Sequence, residues 1–169
     1  MASAGEFDVV VVGASVAGCT VARLFAQQGA RVALVERRHD PAAYKVACTH
    51  AILPPATPVI ERLGLAPLLL DRGVPRTWAE LWTPYGGWST SEDIPDGWGV
   101  TRRTLDPLLR GLAVDTPGVE FFAGWTARRI LTERGRAAGI EVESRNQARV
   151  TLHARLVVGA DGRESALAR

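Results

Sequence analysis

Gly13, Ser15, Gly18 and Glu36 are the residues whose types and spacing first suggest a chemical task. Gly13 ends the apolar run Asp8-Val9-Val10-Val11-Val12, and its missing side chain permits a tight turn into the next segment. Gly18, further on, lets a helix lie close against a strand. Between them Ser15 stands where the pattern G-x-G-x-x-G has its middle glycine, the one that admits a pyrophosphate to the backbone. Serine is small and carries a hydroxyl that can donate to a phosphate oxygen. Gly13, Ala14, Ser15, Val16, Ala17 and Gly18 thus form a candidate phosphate cradle at a helix N-terminus, where N–H groups and partial positive charge collect. Glu36 follows about twenty residues downstream, the usual distance to an acid that accepts the ribose hydroxyls of a dinucleotide. Its charge would repel a 2′-phosphate, which argues against NADP at this place. A glycine turn with no ligand is the bland alternative, and the strand, the spacing and the acid together weigh against it.

The elements that must position these residues can be read from periodicity. Val9 to Val12 is a continuous β-branched run, as in a parallel strand covered on both faces. Residues 16 to 28 predict a buried helix, and Gly29 suits the position just beyond its end. Residues 31 to 35 predict a second strand, completing a right-handed βαβ crossover. Residues 37 to 56 predict a proline-punctuated loop, with helices near 57–63 and 67–71. A strand is expected over 77–83, a loop or hairpin over 85–99 and a helix over 106–113. Short strands are expected at 120–123, 126–132, 138–143, 149–152 and 155–158, with turns at Gly135 and Asn146.

A chain of 169 residues predicts one domain with a sizeable core. It is 47% hydrophobic and 22% charged, with a net charge of +2, too small to argue for nucleic acid or a membrane surface. Nearly all the basic residues are arginine; Lys45 is the only lysine. Cys19 and Cys48 have neither disulfide-framework nor zinc spacing, and no metal-ligand pattern occurs. No stretch is long enough to span a bilayer, and the first residues lack the pattern of a signal peptide. A reducing cytoplasm is the expected compartment.

Three motifs in order make a resemblance specific. The segment VVVGASVAGCTVARLFAQQGARVALVERR resembles the N-terminal FAD-binding segment of flavoprotein monooxygenases of the para-hydroxybenzoate hydroxylase-like superfamily, which also holds geranylgeranyl reductases and flavin-dependent halogenases. Residues 100–109, VTRRTLDPLL, are similar to that superfamily's arginine-led R-x-x-L-D helix, and GADGRES at 159–165 is similar to its Asp-Gly motif. The resemblance implies an α/β fold: a Rossmann-like FAD-binding βαβ unit, a β-meander, and near 75–100 the start of a substrate-binding sheet. It implies that Gly13, Ser15 and Gly18 line the pyrophosphate, that Glu36 holds the adenosine ribose and that Arg37 reaches the adenine or its phosphate. It further implies that Arg102 contacts FAD near the phosphates or ribityl chain, and that Asp161 and Gly162 meet the ribityl or pyrophosphate region. Arg102 as a solvated helix-end residue and Asp161 as a helix cap are the structural alternatives.

Cys48-Thr49-His50 lies where that superfamily places flavin-contacting residues, so His50 and Cys48 are candidates to face flavin or substrate. Nothing beside His50 makes it a base, and a loop histidine is commonly structural. Trp78, Trp82, Tyr85, Trp88 and Trp98 cluster where a substrate site would begin, though core or interface packing explains them as well. No catalytic side chain is identified; the hard chemistry would be the flavin's.

Superfamily members are usually more than twice this length, and the chain stops at Arg169 within the helix expected after the Asp-Gly motif. The sequence is therefore read as the N-terminal half of a flavoenzyme: a truncated gene, a fragmentary gene model, or one piece of a split protein whose separate partner chain supplies the rest. The implied activity is NAD(P)H-dependent hydroxylation of an aromatic or polyketide-like small molecule. The alternatives are a flavin-dependent prenyl reductase, a remnant that binds nucleotide without turnover and, more distantly, a plain NAD-binding module.

Overall fold

A computed structural model describes residues 2–48, 50–78, 80–89, 96–163, 165 and 167. Its contacts divide the chain into one unit of residues 1–44 with 106–169, and a second of residues 45–105.

The chain opens with strand β1 (Ala2–Val12), helix α1 (Val16–Gln27) and strand β2 (Val32–Glu36), the crossover that the periodicity predicts. Val10, Val11 and Val32 to Val35 are buried, as befits inner strands covered on both faces. Gly29 takes φ 86° just past the end of α1.

The second unit holds strand β3 (Ala51–Ile52), a 3₁₀ turn at Pro54–Ala56, helices α2 (Thr57–Arg62) and α3 (Ala66–Asp71), and strands β4 (Arg76–Thr77), β5 (Glu80–Thr83), β6 (Gly86–Ser89) and β7 (Gly97–Gly99). The single strand expected over 77–83 is in fact two, in separate sheets: β4 pairs with β7, and β5 pairs with β6 as a hairpin. Sequence alternation alone cannot mark that break, because each half finds its partner elsewhere in the chain. Trp98 on β7 is fully buried, with the Arg76 guanidinium 4.3 Å from its ring centroid. Arg76 and the Thr57 hydroxyl both donate to the Asp96 carbonyl. Trp78, Trp82 and Tyr85 are exposed, whereas Trp98 is placed in a core; the Trp88 side chain lies outside the described residues.

Helix α4 (Arg102–Val114) begins earlier than the expected Asp106, because the Thr101 carbonyl accepts the N–H groups of Thr104 and Leu105. Four strands follow: β8 (Val119–Ala123), β9 (Trp125–Glu133), β10 (Arg136–Ser144) and β11 (Arg149–Gly159). The two short strands expected at 149–152 and 155–158 are one continuous strand, since β1 pairs with it in parallel from Ala2 to Val12. The first unit's sheet runs β8-β2-β1-β11-β10-β9. The first four strands are mutually parallel, and β11, β10 and β9 form an antiparallel meander. Its core joins Phe7, Val10, Val12, Ala33, Val35, Ile140, Val142, Leu152 and Ala154. Among the described residues no helix is long and apolar enough to cross a membrane.

Candidate nucleotide site

Parallel neighbours β2, β1 and β11 end side by side, and each delivers one sequence motif at its carboxyl end. From β1 comes the glycine turn, from β2 Glu36, and from β11 the Ala160-Asp161 turn. In open α/β sheets the crevice outside the carboxyl ends of the strands is where ligands bind.

Gly13 takes φ 101°, and a Cβ there would run into the Ala160 carbonyl oxygen and meet the Asp161 Cα at 3.0 Å. The Ala160 N–H donates to the Val12 carbonyl at 2.8 Å, and the Gly13 N–H to the Val35 carbonyl at 2.7 Å. A Cβ on Gly18 would strike the Gly13 carbonyl and sit 3.4 Å from the Ala160 Cβ. The two glycines therefore let three strands and one helix converge on one spot, a requirement of packing quite apart from any ligand.

Ser15 caps α1 in extended conformation, and its carbonyl accepts the Cys19 N–H. Ala14 and Gly18 are buried, Gly13, Ser15 and Val16 half-buried, and Ala17 exposed. The Glu36 carboxylate reaches over the turn: Oε2 accepts the Ala14 N–H at 2.8 Å, and Oε1 accepts the Arg38 N–H at 2.9 Å. Each oxygen retains acceptor capacity after one such bond, so a ribose hydroxyl can join without displacing either. Arg37 is exposed, Asp161 half-buried and Gly162 exposed with φ 97°. Arg102, Cys48 and His50 belong to the second unit. Arg102 and Cys48 are half-buried; His50 is exposed, with left-handed φ 62° and its N–H on the Cys48 Sγ at 3.1 Å. Thr49 lies outside the described residues.

The sequence reading missed Arg110. It is 4% exposed, and its guanidinium donates to three carbonyls: Nε to Ala14 at 3.1 Å, one terminal nitrogen to Pro41 at 2.5 Å, the other to Ala43 at 2.8 Å. It thereby ties the glycine turn to the loop after Glu36. A faint signal exists in the sequence. Asp106 and Arg110 sit one turn apart beside the apolar stripe Leu105, Leu109 and Ala113, so both polar residues ride a buried face. Cys19, beneath the same turn, is pushed up to about 12, first by burial. The positive charge of Arg110 pulls the thiol back, while Asp106 and Glu36 push it further up.

The model of the FAD binding domain family matches residues 6–169. The chain belongs to that family. The FAD-binding domain is 34% identical over 97% of its length to digeranylgeranylglycerophospholipid reductase 1 of Methanopyrus kandleri, and spans 42% of that relative. It is 28% identical to 3-(3-hydroxy-phenyl)propionate/3-hydroxycinnamic acid hydroxylase of Paraburkholderia xenovorans, covering 96% of this chain and 27% of the hydroxylase. In fold it resembles the myxobacterial chondrochloren halogenase CndH, with a TM-score of 0.82 at 23% identity, covering 96% of this chain and 38% of the halogenase. The FAD-binding domain thus spans well under half the length of these proteins.

The site suits the ADP half of FAD on its own terms. The turn is stripped of side chains at Gly13 and Gly18, a carboxylate waits at the end of β2, and a buried cation backs the turn.

Proposed function

We propose that this domain is the FAD-binding portion of an NAD(P)H-dependent monooxygenase that hydroxylates an aromatic or polyketide-like small molecule. The observation that carries the FAD reading is the convergence of the glycine turn, Glu36 and the Ala160-Asp161 turn at the carboxyl ends of three adjacent parallel strands. The family supports the cofactor, and the similarity to the Paraburkholderia xenovorans hydroxylase supports the reaction.

Residues 13–18 would hold the pyrophosphate through N–H groups and the α1 N-terminus. Glu36 would accept the ribose hydroxyls, and Arg37 would lie toward the adenine. Asp161 and Gly162 would border the ribityl or pyrophosphate region. Arg102 is assigned to the phosphates or ribityl chain, where a planar, always-charged donor suits an anion. His50 and Cys48 are assigned to the flavin- or substrate-facing side, and residues near 75–100 to the start of a substrate-binding region. FAD, when bound, supplies the redox chemistry, with the protein orienting and shielding it. NAD(P)H is the proposed donor, and a further segment or separate chain is the proposed source of the remaining fold. The half-buried free thiol of Cys48 is compatible with a reducing cytoplasm.

A flavin-dependent prenyl reductase is the second reading, favoured by the 34% identity to the Methanopyrus kandleri reductase. Titration of FAD into the folded chain, followed by quenching of flavin fluorescence, tests the cofactor assignment. A folded chain that leaves the flavin signal unchanged at saturating protein refutes it. Joined to the remaining fold, the hydroxylase should oxidise NAD(P)H faster with its aromatic substrate present, whereas saturation of an isoprenoid double bond favours the reductase.

A further inference from the structure

Arg110 is a buried charged group of the first unit without a role in the nucleotide site described so far. One guanidinium donates to carbonyls from two separate segments, the turn before α1 and the loop after β2. A helix that only needed to pack here would place an aliphatic side chain at this position, since burying a cation is costly unless its donors are met. The bond that matters most is the one to Ala14. In a trans peptide the carbonyl of one residue and the N–H of the next point in opposite directions. Anchoring the Ala14 carbonyl on the buried Nε therefore sets the Ser15 N–H pointing away from α4.

We infer that Arg110 is a positioning residue of the nucleotide site, fixing the Ala14–Ser15 peptide so that its N–H faces the pyrophosphate and locking that turn to the Glu36 loop. The inference rests on the nucleotide reading given above. The bonds to Pro41 and Ala43 supply the lock, because the segment they hold follows directly from Glu36 and Arg38. Glu36 grips the same turn from its other flank through the Ala14 N–H. The two peptide groups that flank Ala14 are thus fixed by one acid and one base. Arg110 touches no part of the ligand; its charge and its fork act through the turn.

The test compares ADP with adenosine, because only ADP carries the phosphates that the turn would meet. Both are titrated into the 169-residue chain and into R110K, with thermal unfolding measured alongside. Lysine keeps the charge but lacks the planar fork that reaches carbonyls of separate segments from one side chain. Loss of one charge-assisted bond to the turn should weaken ADP binding about tenfold, while adenosine affinity stays within about twofold. An R110K chain that is folded and binds ADP like the wild type overturns the inference. So does an equal loss for ADP and adenosine, which makes Arg110 a purely structural strut. If R110K does not fold, R110M is held to the same pattern, and unfolding of both overturns the positioning role. A wild-type chain that binds neither compound sinks the nucleotide reading itself, a result distinguishable from failure of Arg110 alone.

Discussion

Replacing Gly18 by alanine sets two physical effects against each other with opposite signs. Gly18 is in the first turn of α1, where helix propensity favours alanine over glycine by about 1 kcal/mol. On propensity alone, G18A should stabilise the protein. The tertiary structure says otherwise, because the new Cβ would strike the Gly13 carbonyl and press on Ala160. The obstacle is backbone, held by the Gly13 N–H on Val35 and the Ala160 N–H on Val12, so it cannot swing aside as a flexible side chain would. Overpacking of this kind costs about 3 kcal/mol at the upper end of the usual range. Set against the propensity gain, the net expectation is a loss of about 2 kcal/mol. Gly111 supplies the control. It lies in α4, and a Cβ there meets nothing within 4 Å. G111A should therefore stabilise by about 0.5–1 kcal/mol. Urea unfolding at unchanged slope measures both. A G18A protein as stable as the wild type, or more so, would refute the close approach of helix and turn on which the site depends.

Glu36→Ala should weaken FAD binding by about 1–3 kcal/mol, the scale of lost charge-assisted hydrogen bonds, and unchanged affinity in a flavin titration removes Glu36 from the site. Burial holds the Cys19 thiol protonated up to about 12, against an ordinary value of 9.0, so the unfolded chain sheds a proton that the folded chain keeps. Between those values, stability should fall with rising pH by up to about 1.4 kcal/mol per unit, and C19A should abolish that slope in urea titrations. The Cys19 thiol should also resist alkylation at mildly alkaline pH until the chain unfolds, while the half-buried Cys48 reacts. Trp98→Ala should cost about 3–5 kcal/mol and melt the second unit, read by loss of near-ultraviolet circular dichroism; a small effect would deny the fully buried placement of that ring.

Much of the opening unit was legible because its signals are local. Four consecutive valines, alanines at helical spacing and a glycine past the helix end each act within one element. The meander was legible in outline for the same reason, since alternation and turn residues mark short antiparallel strands. Where the reading slipped, the deciding partner was distant. Residues 77–83 break into two strands because β7 claims one half and β6 the other. Residues 149–159 remain one strand because β1 pairs with them from Val150 to Gly159. No local pattern distinguishes those outcomes.

From the sequence alone came the glycine turn, the acid about twenty residues beyond it and the Asp-Gly motif, each with the chemistry its residue types allow. Tertiary structure decided that the turn after β11 packs on Gly13, that Glu36 holds the Ala14 N–H and that Arg110 holds the Ala14 carbonyl. The physical reason is range. Side-chain periodicity reports which face of an element is buried, whereas the partner met there is chosen by parallel strand pairing across the whole unit. Arg110 illustrates the difference: its burial could be read from the stripe it shares with Leu109 and Ala113, but the three carbonyls it satisfies belong to other segments.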